Sequence, residues 1–391
     1  MNDDPTGPEP SVAIELSRRK TIQPGPGPSA VAPERAAPIA VVRRSLAPAW
    51  RIAAPYMTTT RIAVSRLTRD PMARAGALIL ALLAMFAIFA DLLASELPIA
   101  CRWRGAVYAL PDVTHPAELR GLDSRAMQRT LAPGDWVIPT PVQRGAGDPS
   151  AAADLPAAPL APGHPLGTDA SGRDVLAAIV HGARAALGPG LLASAVLVAI
   201  GVALGALAGF AGGVADAVVS RLVEALMAIP TLLLVLVVAS MVPGTTQAAV
   251  LATVALTRWT ELARLVRAET LVALRADYVT AAWALGAPAV RVLWRHVLPN
   301  VIAPAIVAAA FALAWVVLTV ATVDFLRAGT ELPSLGAHAS WGEMLAESRL
   351  SGGAWWLVAF PGAALLSTLI ALHLVAEGAR NALDPRLRGE R

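Results

Sequence analysis

The stretch YVTAAWALGAPAVRVLWRHVLPN, Tyr278–Asn300, separates two long apolar runs and decides how the whole chain is interpreted. Its two arginines, its histidine and its central glycine make it unsuited to cross a bilayer. Four residues in its first half follow the i, i+3, i+4, i+7 spacing of one helix face. These residues are Tyr278, Ala281, Ala282 and Leu285. Gly286 then suits the left-handed residue that often ends a helix, so the spacing predicts a short helix that stops at this glycine.

A second short helix is predicted after the glycine. Pro288 suits the first turn of a helix, where its missing N–H is not needed. The predicted apolar face consists of Val290, Leu293, Trp294 and Val297. Arg291 and Arg295 lie on the other face, and Pro299 is expected to end the motif before the next apolar run. From the residues alone, an interfacial hairpin that only connects two membrane spans remains an alternative to a docking element.

The composition is that of a membrane protein. Of the 391 residues, 56% are hydrophobic and 15% are charged, whereas soluble domains carry about 25% charged residues. The apolar residues are clustered, and roughly 20 of them cross the hydrocarbon core of a bilayer. We predict six spans, at about 75–95, 185–211, 222–241, 247–268, 299–324 and 354–377. The break VPGTT at Val242–Thr246 divides the longest run into a hairpin of two helices.

Arginine placement predicts the orientation in the membrane. The formal net charge is +4, and the arginines cluster before the first span, around 258–295 and after the last span. With six spans, these three regions share one side, which the positive-inside rule identifies as the cytoplasm. We therefore expect both termini in the cytoplasm, and we expect the basic residues to face the membrane surface rather than a nucleic acid.

The chain is divided by composition into six parts. They are a disordered N-terminal tail (1–40), a basic interfacial segment (41–74), the first transmembrane helix (75–95), an outer loop with a pre-helix (96–183), a transmembrane domain (184–383) and a cytoplasmic tail (384–391). Short extended stretches are predicted in the outer loop at Arg102–Leu110 and Asp135–Val142. The helix near its end is expected to be capped by Asp169 or Ser171, with a local salt bridge to Arg173 rather than a metal site.

The segment Tyr278–Asn300 resembles the EAA loop of ABC-importer permeases. That loop has the pattern Glu-Ala-Ala, three residues, Gly, a spacer and a Leu-Pro pair. The matching residues here are Ala281, Ala282, Gly286, Leu298 and Pro299. Thr280 stands where the family usually has glutamate.

Three further stretches are similar to the C-type permeases of dipeptide and oligopeptide importers. His164–Leu176 resembles the segment before their second span, Ala211–Leu234 their second cytoplasmic loop and third span, and Ala379–Arg388 their C-terminus. The resemblance covers about residues 60–391. The long outer loop and the VDFL at Val323–Leu326 are similar to the Yej-type branch, whose members are associated with oligopeptide and microcin C-like uptake.

The resemblance implies an all-α polytopic membrane protein with six transmembrane helices, the type I ABC importer permease fold. It also implies a large periplasmic loop after the first helix and a disordered cytoplasmic N-terminus. In that family the EAA loop is a coupling helix that docks in a groove of the ATPase subunit. The residues that this resemblance assigns to ATPase coupling are Tyr278, Thr280, Ala281, Ala282, Leu285, Gly286, Arg291, Arg295, His296, Leu298 and Pro299.

The implied function is that of a permease subunit that moves peptides or peptide-like solutes across the bacterial cytoplasmic membrane. The implied partners are a second homologous permease, two ATPase subunits, and a periplasmic or lipid-anchored solute-binding protein. Lys20 is the only lysine and no phosphate-binding P-loop surrounds it. ATP and Mg²⁺ are therefore expected to bind to the partner ATPase subunits, and this chain is expected to carry no cofactor and no catalytic residue.

Three ionisable residues near span ends are candidates for a transport path: Asp324, His373 and Glu377. Charged groups at the centre of a membrane helix cost about 2.5–3.5 kcal/mol on insertion scales, although a position near the interface also explains these three. A proton-coupled secondary carrier would use them as a relay, and this is the alternative function. An intramembrane hydrolase lacks a nucleophile–base pair. The single cysteine, Cys101, predicts no disulfide and no cysteine-rich metal site.

Overall fold

The structure, a computed structural model, describes residues 67–145, 156–241, 246–327, 340–349 and 351–383. The expected disordered tail, most of the basic segment before the first span, the loop at 242–245 and the cytoplasmic tail lie outside these ranges. Within them the chain is mostly helical, as predicted, with one small sheet in the loop that follows the first long helix.

Thirteen α-helices and three strands follow one another along the described part of the chain. The helices of the described ranges are α1 (Pro71–Ile88), α2 (Ala90–Leu93), α3 (Pro111–Thr114), α4 (Ser124–Arg129), α5 (Val175–Ala211), α6 (Gly213–Met227), α7 (Thr231–Met241), α8 (Gln247–Leu274), α9 (Asp277–Ala284), α10 (Ala289–Val292), α11 (Leu298–Arg327), α12 (Trp341–Glu347) and α13 (Trp356–Leu383). A 3-10 turn occupies Ala117–Leu119, and a π turn at Leu293–Val297 joins α10 to α11. The strands are β1 (Ala100–Trp103), β2 (Ala106–Ala109) and β3 (Trp136–Ile138).

Four helices in the described part of the chain are long and apolar enough to cross a membrane. They are α1, α5, the continuous helix Ala289–Arg327, and α13. α6 and α7 qualify as a fifth only as a pair, since they are bent by 71°. The span predicted at 222–241 is therefore not one continuous helix: Pro230 lies in the break, and proline removes a helical hydrogen bond donor. α8 is 28 residues long but carries several charged side chains and does not qualify by composition.

Asp174 caps α5, so the prediction of Asp169 or Ser171 as the cap is wrong. One carboxylate oxygen of Asp174 accepts a hydrogen bond from the backbone N–H of Ala177 at 3.0 Å. Asp169 is occupied in the preceding turn, where it accepts the backbone N–H groups of Ser171 and Arg173 at 2.8 Å each. Since the cap lies at 174, α5 begins at Val175, earlier than the predicted span.

A row of glycines brings α5 and α8 together. A Cβ on Gly205 would lie 2.5 Å from the carbonyl oxygen of Ala263, and a Cβ on Gly209 would lie 2.9 Å from that of Arg267. Small residues at four-residue spacing allow two helix backbones to approach this closely. Because later glycines meet later residues of α8, the two helices run parallel.

α11 runs antiparallel to α5. Gly190, near the start of α5, faces Val317 in the second half of α11. Ala206, near the end of α5, shares a buried cluster with Val301 at the start of α11. The bundle thus has two ends: the α5 start, where α11 finishes and α12 packs, and the α5 finish, where α8 leads into α9.

The loop after α1 contains the sheet, which the all-α description of the fold missed. Its strands are antiparallel in the order β2-β1-β3, and Arg102 pairs with Val107 on one side and with Trp136 on the other. The extended stretches predicted for this loop are thereby confirmed. The buried Cys101 packs with Trp103 and with residues of the helical turns that cover the sheet.

Candidate functional site

The segment 277–300 folds as two short helices around a glycine turn, as predicted. The N–H of Gly286 donates to the carbonyl of Trp283 at 2.9 Å, and the N–H of Ala287 donates to that of Ala282 at 3.1 Å. This bond pair is the Schellman motif, which requires a left-handed residue after the helix end. Gly286 supplies it with φ of 78°. Pro288 is the N-cap residue of α10 rather than a member of its first turn.

The buried side of the segment differs from the predicted apolar faces. Val279, Val292 and Val297 are fully buried, and they pack with α5, α8 and the start of α11. Of the predicted first face, Tyr278 and Ala282 are half-buried, whereas Ala281 and Leu285 are exposed. The α9 face is therefore rotated toward Val279.

The second predicted face is right for Leu293 and Val297 but wrong for Val290 and Trp294, and the π turn explains the difference. A π turn closes i→i+5 hydrogen bonds and so takes more residues per turn than an α-helix. Val292 and Val297, five apart, are both buried, while Val290 and Trp294 are exposed. A 3.6-residue period counted across Leu293–Val297 therefore selects Val297 correctly but misses Val292.

The exposed side of the segment carries large apolar groups. We call Trp283, Leu285, Val290 and Trp294 the docking surface. All four are exposed, Leu285 to 83%. The side chains of Arg291 and Arg295 are exposed beside it. Large exposed apolar groups in one short segment that also carries exposed charged side chains favour an interaction site.

The remaining residues assigned to ATPase coupling are partly held by hydrogen bonds within the segment. The Asn300 side-chain amide donates to the Tyr278 hydroxyl at 2.8 Å and to the His296 carbonyl at 2.7 Å, which ties α9 to the start of α11. Thr280 is exposed and its hydroxyl lies 3.5 Å from the Ala276 carbonyl. Leu298 is half-buried.

Pro299 does not end the motif, contrary to the prediction. It is the second residue of α11, and the helix is continuous from Ala289 to Arg327. Proline lacks the N–H that would bond four residues back, and the π turn lies directly before it. The second helix of the segment is thus the beginning of a membrane-spanning helix.

The three candidate path residues are not brought together. Asp324 is buried and accepts a hydrogen bond from the Ser340 hydroxyl. His373 is exposed, bonds the Leu369 carbonyl at 2.8 Å, and meets the Phe311 ring edge-on. Phe311 and Asp324 are both on α11, about 20 Å apart at 1.5 Å per residue, so Asp324 and His373 lie far from each other.

Glu377 lies one turn beyond His373 and is also exposed. Its partner is Arg380, at 3.9 Å. Both α13 residues therefore lie on a surface of the helix, away from the buried carboxylate of Asp324.

A buried polar network at the α5 start was only partly predicted. Arg173 binds Asp169 at 2.5 Å, as expected, and also binds Glu347 of α12. Desolvation and the Asp169 carboxylate raise the pKa of Glu347 to about 7, against the opposing effect of Arg173. Nothing in the sequence connects Arg173 with a residue so far along the chain.

The same network includes a histidine and a tryptophan. The buried His164 lies 2.9 Å from the second carboxylate oxygen of Asp174. The Trp356 indole donates to the Thr168 carbonyl at 2.9 Å. Among the residues the structure describes, no three His, Cys, Asp or Glu side chains are placed to hold a metal ion.

Comparison with known families agrees with this architecture. Residues 201–389 match the family described as binding-protein-dependent transport system inner membrane component. Residues 58–100 match the N-terminal TM domain of oligopeptide transport permease C.

Curated relatives give the same result. The dipeptide transport system permease protein DppC of Escherichia coli K12 is 43% identical over 228 residues, 58% of this chain and 74% of the relative. The di/tripeptide transport system permease protein DppC of Pseudomonas aeruginosa UCBPP-PA14 is 38% identical over 225 residues, 57% of this chain and 72% of the relative. The DppC protein of Haemophilus influenzae Rd is 37% identical over 228 residues, 58% and 76% of the two chains.

Proposed function

Because the chain belongs to the family of binding-protein-dependent transport system inner membrane components, we propose that it is the permease of an importer for short peptides. It works with a second homologous permease, two ATPase subunits that bind ATP and Mg²⁺, and a solute-binding protein. We base the proposed peptide substrate on the names of its relatives, which are dipeptide and di/tripeptide transport permeases.

The proposed topology has six spans with both termini in the cytoplasm. α6 and α7 form the third span in spite of their bend, and α8 forms the fourth in spite of its charges. The arginines from Arg264 to Arg295 then lie at or near the cytoplasmic side, in agreement with the positive-inside rule. The sheet of β1 to β3 then lies in the periplasm.

The docking surface is the observation that carries the proposal. Its four apolar side chains, Trp283, Leu285, Val290 and Trp294, are exposed, whereas the core contacts of the same segment are made by other, fully buried residues. They lie in the segment that matches the EAA pattern, and a groove on an ATPase subunit would cover them. The basic side chains of Arg291 and Arg295 would face acidic groups at the rim of that groove.

The connection of this surface to the bundle suggests how ATP binding would move the spans. α10, the π turn and α11 form one continuous helix from Ala289 to Arg327. α9 is tied to that helix by the Asn300–Tyr278 bond. A displacement of the docking surface is therefore passed directly to α11, and through the buried Val279 to the end of α8.

The proposal is tested by co-purification from native membranes. Leu285→Asp places a charge in the centre of the docking surface, and we expect the ATPase to be lost while the second permease stays. Leu160→Asp is the matched control, because Leu160 is exposed to 88% and lies in the loop on the other side of the bundle. Gly286→Arg, which strains the left-handed turn and adds a long charged side chain there, is expected to act as Leu285→Asp does.

Two results would contradict the proposal. One is a normal yield of ATPase with both Leu285→Asp and Gly286→Arg. The other is a wild-type chain that leaves gently solubilised membranes alone and transports peptide only while a proton gradient is present, which is the behaviour of the secondary carrier.

A further inference from the structure

An ion pair lies in the middle of α8, where a membrane helix is least suited to hold it. The Arg258 guanidinium donates from Nη1 to the Glu261 carboxylate at 2.6 Å. Arg258 lies eleven residues after Gln247, the first residue of α8, which is about 16 Å along the helix. In the six-span topology this is near the centre of the bilayer. Charges at that depth face the bundle interior or a water-filled path and mark function.

The Arg258 and Glu261 side chains line a cavity between α5, α8 and α11. The cavity has a volume of about 280 Å³, close to the lower limit of small-ligand pockets. Its walls include Leu197, Leu265, Phe311 and Trp315. Apolar walls with two charged groups are the usual composition of a site that binds a small polar molecule.

The arginine is held in place but not saturated. Its guanidinium carbon lies 3.6 Å from the centre of the Trp315 ring, a cation–π contact that fixes the plane of the group. In the described part of the chain, the bond to Glu261 is its one protein hydrogen bond, and a guanidinium has five N–H donors. The Arg258 side chain is 21% exposed and that of Glu261 is 52% exposed, so both reach the cavity.

A free peptide carries the complementary charges. Its α-carboxylate accepts two parallel N–H bonds from a guanidinium, and its α-ammonium can bind a carboxylate. The Arg258–Glu261 pair has no net charge, and neither has a peptide with free termini and neutral side chains. The bond between the two side chains can be exchanged for two bonds to the peptide without leaving an uncompensated charge in the cavity.

We propose that Arg258, Glu261 and Trp315 form a binding station in the transport path, where the guanidinium receives the C-terminal carboxylate of a peptide and Glu261 receives its N-terminal ammonium. This inference rests on the proposed function of peptide import and adds the recognition of free termini inside the permease. The station selects short peptides by their two ends, independently of side chains.

The test is uptake by the complete transporter, with its binding protein, in proteoliposomes supplied with ATP. Three probes are compared: dialanine, its C-terminal amide and its N-acetyl derivative. For Arg258→Gln we expect the preference for dialanine over the amide to fall about tenfold, which is about 1.4 kcal/mol, while the preference over the acetyl derivative is kept. For Glu261→Gln we expect the converse. The binding protein is the same in all preparations, so a change in either ratio belongs to the permease.

The matched controls are Arg221→Gln and Glu224→Gln. Arg221 and Glu224 form the same kind of pair, three residues apart on α6, on an exposed surface. Both control variants are expected to keep both ratios. Should Arg258→Gln fail to assemble, Arg258→Lys decides, because lysine keeps the charge but cannot form the two parallel bonds. A reduced preference for dialanine over its amide supports the station, and an unchanged one overturns it.

The remaining outcomes separate the station from the proposed function. If the variants lower the uptake of all three probes equally, the Arg258–Glu261 pair has a structural role or contacts the second permease. That result overturns the station. Wild-type uptake that is indifferent to amidation and acetylation overturns it as well, while peptide import stands. An assembled wild-type complex without ATP-dependent peptide uptake overturns both proposals.

Discussion

The two ends of the helical bundle are built in opposite ways. At the α5 start, polar and charged side chains are bonded to one another, as in the buried pair Asp174–His164 and the half-buried pair Arg173–Glu347. At the other end, apolar side chains such as Leu285 and Trp294 are left exposed. Buried polar groups stabilise a structure only when they are paired, whereas exposed apolar groups gain stability when a partner covers them. Asp174 and Arg173 find their partners within this chain, whereas Leu285 and Trp294 are not covered by it.

The largest effect is expected from glycines of the first end. A Cβ on Gly342 would lie 2.9 Å from the carbonyl carbon of Ala321, and a backbone group cannot move aside as a side chain can. Gly342→Leu is expected to destabilise the chain by about 3 kcal/mol, because α12 must separate from α11. Thermal unfolding in detergent measures the loss.

Gly188→Leu is the control for that substitution, since a Cβ on Gly188, in α5, meets nothing within 4 Å. Equal thermal midpoints for Gly342→Leu and the wild type would show that α12 is not packed on α11 in the protein.

The next effect is expected at Asp174, which joins the α5 cap to His164. Asp174→Ala removes the cap, worth about 1 kcal/mol, and a buried hydrogen bond partner, worth about 1–3 kcal/mol. We therefore expect a loss of about 2–4 kcal/mol in the free energy of unfolding. Asp174→Asn keeps an acceptor for Ala177 and should recover part of the loss; no difference between the two variants would argue against the cap.

The pH dependence of stability sharpens the contrast further. Desolvation and the nearby Asp324 carboxylate raise the pKa of Glu343 from 4.5 to about 7, and the pKa of Glu347 is raised similarly. The folded chain therefore binds these protons more tightly than the unfolded chain. Stability from this source is present below pH 4.5 and is lost as the pH rises through about 7.

Glu343→Gln is expected to flatten this dependence, because glutamine has no proton to lose. The thermal midpoint measured from pH 5 to 8 tests it, with Glu224→Gln on the exposed face of α6 as the control that keeps the wild-type slope. A steeper fall with Glu343→Gln than with the wild type would contradict the assignment.

The smallest effect is expected at the exposed end. A Cβ on Gly286 meets nothing within 4 Å, so Gly286→Ala costs only the left-handed conformation of a residue with a side chain, about 1 kcal/mol. The thermal midpoint should fall slightly. A loss as large as that of Gly342→Leu would mean that the turn is packed against the bundle and is not free to dock.

The positions of the long helices and of the glycine turn could be predicted from the sequence because both depend on neighbouring residues. The hydropathy of about 20 consecutive residues decides whether a helix suits a membrane. The Schellman turn at Gly286 is closed by backbone bonds between residues within one turn.

Tertiary structure alone decided which faces are buried and which distant residues meet. The π turn before Pro299 changes the number of residues per turn, so Val292 is buried, whereas Val290 and Trp294, which a regular period placed on one face with Val297, are exposed. Arg173 meets Glu347, and Arg258 meets Trp315, because α5, α8, α11 and α12 converge. Contacts of this kind depend on how helices pack in space, and the spacing of residues along the sequence does not specify which helices pack together.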